Sequence, residues 1–273
     1  MTEEVLEDQA IGSVTVLFGA AHGKYPHGNS LAVRGTRETL MIDPSLGVVA
    51  RKDKLPHADR VWNSHCHEDH IAGNHLFPDA PWELHEADLL GLHSFAGLLQ
   101  IYGYDDTVLG GGVRVRVIHT PGHTRGHCAF HIEPDDVLFI GDIDLSSFGP
   151  YYGDAWSDLV DFERSLRVVR DTQAKHYATF HHIGVVDRAT FLARLDKFEA
   201  VIASREQRLL AYILEAPRTL DEIVRHRFVY RPSDPVSFAD PVERRSMSQH
   251  LARLVALGRA REISPGRFQG AVV

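Results

Sequence analysis

The sequence predicts an α/β protein carrying a small C-terminal module of helices and a hairpin. Three observations predict it. Short β-prone runs, bounded by Gly and polar turn residues, occur in two groups along the chain. Each group leads into segments with apolar residues at helical spacing. From about Ser204 the pattern changes to closely spaced helices, and the charge changes with it. Residues 1–200 hold 17 basic and 29 acidic residues, a net of −12, whereas residues 201–273 hold 12 and 8, a net of +4. A chain of 273 residues suffices for one large domain and an appendage. The expected units are residues 1–203 and 204–273.

Residues 14–18, 31–33 and 39–42 read as strands, the third closed by Asp43-Pro44. Residues 61–63 form another, running straight into a histidine-rich segment. Residues 71–76 are expected to open a helix, and 87–99 are apolar at helical spacing. Residues 113–118 alternate with period two, one face buried and the other wet. Residues 128–132 and 137–140 make a hairpin around the turn 133–136. An amphipathic helix over 157–170 and a strand over 177–180 follow. In the tail, 207–214 is a helix, Thr219-Leu220-Asp221-Glu222 is a capping box opening a second, and 241–257 is a third, stopped by Gly258. Residues 260–263 and 267–269, joined by Ser264-Pro265-Gly266, suggest a hairpin. Three helices and a hairpin outline a winged helix.

Composition excludes several classes. With 44% hydrophobic and 24% charged residues the chain reads as globular, not disordered. No apolar run approaches the roughly 20 residues that span a bilayer, so no membrane association is expected. The N-terminus has neither a basic n-region nor an apolar h-region. Two cysteines, Cys66 and Cys128, give no disulfide framework, and a cytoplasmic location is the default expectation. Histidine is the outlier: 18 are present, many in tight groups.

The densest group is His65-Cys66-His67-Glu68-Asp69-His70. An extended segment sends alternate side chains to one side, so His65 and His67 can face one metal while Asp69 and His70, on the next turn, face a second. Cys66 then points the opposite way and is structural. Imidazole and carboxylate at this density suit zinc, manganese or iron. In His119-Thr120-Pro121-Gly122-His123-Thr124-Arg125-Gly126-His127 the Pro-Gly turn can aim His123 back at the site; His119 and His127 are expected to be supports. Asp142 follows Gly141 at a strand end and can bridge two cations, with Asp144 as its competitor. One of His181 and His182 completes the second metal; His181, nearer the strand end, is favoured and His182 is the alternative.

These ordered motifs resemble the metallo-β-lactamase superfamily. The run 65–70 matches its His-x-His-x-Asp-His signature, Thr120-Pro121-Gly122-His123 its third-histidine turn, and Gly141-Asp142 its bridging aspartate. His181-His182 stands where the family has its last histidine, without the usual flanking glycine. Asn29-Ser30-Leu31 and Ile42-Asp43-Pro44 also resemble family N-termini, and the likeness covers roughly residues 12–190. The resemblance implies an αβ/βα four-layer sandwich with metals at one edge. It implies that His65, His67 and His123 bind one metal, that Asp69, His70 and the last histidine bind another, and that Asp142 lies between.

The function expected is a metal-dependent hydrolase with two divalent ions, zinc first, manganese or iron otherwise. A dinuclear-metal-bound hydroxide would attack an ester, thioester or lactone, as in proteins resembling glyoxalase II, with Asp69 orienting it or moving its proton. The loop 146–153 and His22, Tyr25 and His27 are expected to line a pocket for a small-molecule substrate. One alternative is an endoribonuclease-like phosphodiesterase, suggested by the basic tail with Arg244, Arg245 and Arg253; the acidic first unit disfavours nucleic acid. Another is a mono-iron persulfide dioxygenase, which lacks support in the loop after Asp142. The C-terminal module is expected to cap the catalytic face or to build a homodimer.

Overall fold

The computed structural model describes residues 7–92, 99–101, 107–109, 112–234 and 236–271. Its frame is two packed sheets. The first holds seven strands in sequence order: β1 (Gln9–Ile11), β2 (Val14–Leu17), β3 (Ser30–Arg34), β4 (Thr39–Ile42), β5 (Arg60–Trp62), β6 (Trp82–Leu84) and β7 (Leu99–Ile101). It is antiparallel up to β4 and parallel from β4 to β7. The second sheet holds six: β8 (Thr107–Leu109), β9 (Val113–His119), β10 (Cys128–Glu133), β11 (Val137–Phe139), β12 (His176–Ala178) and β13 (Val185–Asp187), again neighbours in chain order.

Alternation along the strands decides which face is inside. In β9 the valines at 113, 115 and 117 are buried while Arg114 and Arg116 between them are exposed. The inward faces of both sheets meet in one apolar layer that includes Val16, Leu31, Leu40, Trp62, Val115, Phe130 and Phe139. Each such side chain contributes roughly 1.5–3 kcal/mol on burial. The single turns α1 (Ala20–Gly23), α2 (Leu46–Val49) and α3 (Glu68–Ile71) link strands of the first sheet, and Val48 of α2 packs on its outer side with Ala32, Met41 and Val61. Outside the second lie α4 (Leu159–Asp171) and α5 (Arg188–Glu215), packed on Leu138, Ile140 and Tyr177. This is the expected αβ/βα sandwich.

Two expected helices of the first unit differ, and the expected helix 207–214 is the end of the longer α5. The segment 87–99 is a 3-10 helix over Glu86–Gly91, Leu99 opens β7, and residues 93–98 lie outside the described residues. The turn is tight because Gly91 lies against Cys66: a Cβ there would sit 2.4 Å from its Sγ. Near 71–76, the helical turn starts earlier, at Glu68, and Asn74–Leu76 is a separate 3-10 turn.

The tail follows as α6 (Leu220–His226), α7 (Ala239–Ala256) and a small sheet of β14 (Arg218–Thr219), β15 (Ala260–Ser264) and β16 (Arg267–Gly270), in the order β14-β16-β15. The expected capping box is present: Thr219 Oγ1 accepts from Glu222 N, and Glu222 accepts from Thr219 N. Leu209, Ile213, Ile223, Met247, Leu251 and Leu254 form a separate core here. Helix α5 crosses residues 203 and 204 without a break. Its buried stripe Phe191, Leu195, Phe198 and Ile202 serves the sandwich, and Leu209, Leu210 and Ile213 serve the second core. Among the described residues no helix is long and apolar enough to cross a membrane.

Candidate metal centre

The site sits where β5 leaves the first sheet. After Trp62 the chain bends at Ser64 and His65, is extended at His67, whose ψ is 147°, and then turns into α3. That geometry sends His65 and His67 to one side and Cys66 to the other. Cys66 is buried in the inner core, and burial raises its thiol. The one-turn helix then presents Asp69 and His70.

Two clusters result: His65, His67, His123 and Asp142, and Asp69, His70 and His181, each with its donor atoms within 4.8 Å of one another. In the first, His65 Nε2 and His67 Nδ1 are 2.9 Å apart, His67 Nδ1 and His123 Nε2 2.9 Å, and His65 Nε2 and His123 Nε2 3.2 Å. In the second, His181 Nε2 lies 3.1 Å from Asp69 Oδ2. Asp142 sends one oxygen to each: Oδ2 lies 3.1 Å from His123 Nε2, and Oδ1 lies 3.0 Å from His70 Nε2.

The outward nitrogen of every one of these imidazoles already has an acceptor. His65 Nδ1 faces Ser64 Oγ at 3.1 Å, His67 Nε2 faces Asp154 Oδ2 at 3.0 Å, and His70 Nδ1 faces Asp43 Oδ2 at 2.7 Å. His123 Nδ1 faces the Tyr151 carbonyl at 3.0 Å, and His181 Nδ1 the Gly23 carbonyl at 2.8 Å. A neutral imidazole carries one proton, so these partners draw it outward. Bare lone pairs then converge on one another and on carboxylate oxygens, a repulsive arrangement unless a cation lies among them. Asp69 Oδ2 is buried with no hydrogen-bond partner among the described residues despite His181 nearby. Tetrahedral coordination with metal–nitrogen bonds of about 2.1 Å would separate ligand nitrogens by roughly 3.4 Å, close to the triangle found. The donor set therefore fits a divalent cation in each cluster.

The field agrees. Burial alone would lower the His181 imidazole, but Asp142 and Asp69 override it and raise it to about 9. Burial likewise opposes, and Asp142, Asp43 and Asp69 overcome, at His70. His65 goes the other way: burial, then the imidazoles of His70, His67 and His123, hold it well below its ordinary value. Thus the carboxylates call for positive charge in the cavity while His65 resists carrying it.

Further groups hold this arrangement. Asp43, at the end of β4 beside β5, accepts from Ser64 N at 2.6 Å and from Ser64 Oγ at 2.5 Å. His127 donates through Nδ1 to the Thr120 carbonyl at 3.1 Å, and its Nε2 accepts from Asp142 N at 3.1 Å, so it is a support, as expected. Burial, then His123, lowers its pKa to about 3, which keeps Nε2 an acceptor. His119 meets the Arg125 carbonyl at 2.9 Å. Buried Asp88 takes Cys66 N, Thr124 Oγ1 and Gly126 N, tying the first histidine run to the third-histidine turn. Glycine is required at two points. Gly122 has φ +125°, and a Cβ there would lie 2.2 Å from Phe162 N; at Gly141, φ +51°, it would lie 2.5 Å from His127 Nε2.

Of the paired histidines, His181 lies in the second cluster, whereas His182 is in the left-handed region at φ +58° with its Nε2 4.0 Å from Asp144. Asp144 stands outside both clusters, and burial raises its carboxyl to about 6. Of the expected pocket residues, the Tyr25 ring stands edge-on to His181 at 6.4 Å and the Tyr151 ring tilts toward His123 at 5.6 Å. Asp43, Ser64, Asp88 and Asp154 were not expected. Only Asp43 had a signal: a carboxylate ending the strand beside the one that delivers His65.

Comparison with known proteins follows the same lines. The profile of the Metallo-beta-lactamase superfamily matches residues 25–175. The hydroxyacylglutathione hydrolase of Rhodospirillum rubrum is 29% identical over 184 residues, 63% of this chain and 68% of that protein. That of Maricaulis maris is 30% identical over 117 residues, 38% of this chain and 45% of that protein, so the chain spans under half of its length. A metallo-beta-lactamase family protein from Thermus thermophilus superposes with a TM-score of 0.72 at 22% identity, covering 95% of this chain and 99% of that one. A beta-lactamase domain protein from Burkholderia ambifaria gives 0.69 at 19%, covering 99% and 95%. Both superpositions speak to fold, and their coverage takes in the C-terminal elements.

Proposed function

The chain belongs to the metallo-beta-lactamase superfamily, and from that premise we propose that it is a metal-dependent hydrolase of carbonyl esters, thioesters first among them. One observation carries the reading: five imidazoles with outward acceptors aim bare nitrogens at one another and at Asp69 and Asp142. His65, His67 and His123 would hold one divalent ion, Asp69, His70 and His181 the other, with Asp142 shared and zinc first among the candidates. Ions so held supply an acidified water and an electrophile for the substrate carbonyl.

The chain's own groups do the rest. Asp69 Oδ2, buried and without a hydrogen-bond partner among the described residues, is placed to accept the proton of the attacking water. Asp43, Asp154 and the carbonyls of Tyr151 and Gly23 fix the imidazole tautomers. Tyr25 and Tyr151 flank opposite ends of the cluster, and burial raises both phenols, so they stay protonated donors at neutral pH. Preference for a thioester rests on the relatives named hydroxyacylglutathione hydrolase. The C-terminal elements run helix, strand, helix, helix and hairpin, the order of a winged helix, and we assign that module a supporting role.

The test is a substrate panel of thioester, lactone, phosphodiester and β-lactam on metal-quantified protein. Thioester turnover with about two equivalents of divalent metal is expected. Phosphodiester turnover alone, or one equivalent of iron with persulfide-dependent oxygen uptake, would overturn the reading.

A further inference from the structure

The loop between β11 and α4 carries two of the groups that aim the first cluster. Tyr151 offers its carbonyl to His123 Nδ1, and Asp154 its carboxylate to His67 Nε2. Four further carbonyls of this loop are taken by helices α5 and α7. Arg205 of α5 donates to the Phe148 carbonyl at 2.7 Å and the Pro150 carbonyl at 2.5 Å. Gln249 of α7 donates to the Tyr152 carbonyl at 2.9 Å and accepts from Leu159 N at 2.6 Å. Arg245 reaches the Gly153 carbonyl at 3.3 Å. The Tyr152 hydroxyl pairs with His250 Nε2 at 2.8 Å, and His250 Nδ1 meets Glu206 at 3.1 Å. Gly153 itself lies against α7: a Cβ would stand 2.3 Å from Val242 Cγ1.

Two features separate this from ordinary packing. Arg205 is 1% exposed, and a guanidinium is costly to bury unless its donors are well met. Here loop carbonyls meet them, with the rings of Phe148 and Tyr152 5.3 Å away. In addition, α7 meets the loop or the start of α4 through Val242, Arg245, Gln249 and Arg253, the last pairing with Glu163 at 2.8 Å. These positions lie on one helical face. Arg244, the remaining arginine of the basic helix, pairs with Asp221. All three arginines of the basic helix are thus engaged by partners within the chain.

We propose that the C-terminal helices position the first cluster only: through the loop 148–154 they fix where His67 and His123 aim their inward nitrogens. The second cluster is held from elsewhere, His70 by Asp43, which follows β4, and His181 by the Gly23 carbonyl; Asp43 also reaches His65 of the first cluster through Ser64 Oγ. Arg205 and Gln249 are positioning residues and touch no reacting atom. This inference rests on the metal reading above.

The test uses the full chain and zinc or cobalt(II) alone, titrated against a chelator. A His70→Ala background isolates the first cluster, and a His123→Ala background isolates the second. Gln249→Ala is expected to weaken metal binding about tenfold in the His70→Ala background and to leave the His123→Ala background unchanged. Gln249→Glu, which keeps the acceptor for Leu159 N and removes the donor to Tyr152, reproduces the effect without a cavity. Cobalt(II) visible spectra in the His70→Ala background should change band positions with either variant. Equal weakening in both backgrounds, or none in either, would overturn the positioning role. Absence of metal binding by the unmodified chain would instead take down the hydrolase reading.

Discussion

The two candidate metal-binding clusters take four of their residues from one stretch of six, yet they lean on different parts of the molecule. His65 and His67 join His123; His67 and His123 lean on the loop 148–154, which α5 and α7 hold, while His65 meets Ser64 Oγ. Asp69 and His70 join His181 and lean on Asp43 and the Gly23 carbonyl, both within the first sheet and its turns. The supports also differ in exposure. The His70 and Asp43 side chains are both 0% exposed, whereas His67 is 19% and Asp154 32% exposed. A hydrogen bond to a charged group strengthens as solvent is excluded. The second cluster is therefore the more rigidly set, and the first is the one that distant changes can reach.

The largest expected effect comes from the residue the clusters share. Asp142→Ala should remove a carboxylate from both and lower kcat/KM at least about a thousandfold, since on the proposed hydrolase reading several kcal/mol of transition-state stabilisation would come from the ions. His67→Ala should abolish turnover as well while leaving close to one equivalent of metal bound. Equal metal loss in the two variants would erase the distinction between clusters. Next come the outer partners. Asp43→Asn should weaken metal binding about a hundredfold and Asp154→Ala about tenfold, the ends of the usual range for such contacts. Chelator titration resolves the two, and the same ranking should hold for turnover of a model thioester. A reversed ranking would mean that exposure does not govern the supports.

Much of this site is legible in the sequence because metal ligands come in restricted residue types at backbone-dictated spacing. His65, His67, Asp69 and His70 lie where a strand exit enters a helical turn, and His123, Asp142 and His181 each follow a strand. The supports are not legible in the same way. A backbone carbonyl, such as those of Gly23 and Tyr151, has no side-chain identity to read, and Asp154 is one acid among many in its loop. The fold shows the same division. The period-two strand β9 and the capping box at Thr219 announce themselves. The segment 87–99 misleads because Leu89 and Leu92 join the inner core while Asp88 turns to the ligand loops. Helix α5 hides its length because Arg205 occupies a place in its buried stripe between Ile202 and Leu209. The charged residue that blurs the helix is the one that grips the loop 148–154.

The smallest expected effect is a pH dependence confined to the first cluster's support. Glu206 accepts from Arg253 Nε at 2.7 Å and lies 3.1 Å from His250 Nδ1, and the His250 contact, then Arg253, holds its carboxyl below the ordinary value. A depressed carboxyl contributes stability that is present above its unfolded pKa and lost as pH falls through the folded one. His250 acts in the same direction. Burial lowers its imidazole despite Glu206, so the folded state disfavours its protonation, and stability drains away as pH falls below 6.5. Acid should therefore loosen α7 from the loop 148–154. Melting temperatures of the unmodified chain and of Glu206→Gln should converge between pH 7 and pH 4, because the variant has already lost the acid-sensitive partner. Parallel curves would show that Glu206 does not titrate with folding and would leave the acid response of this contact to His250.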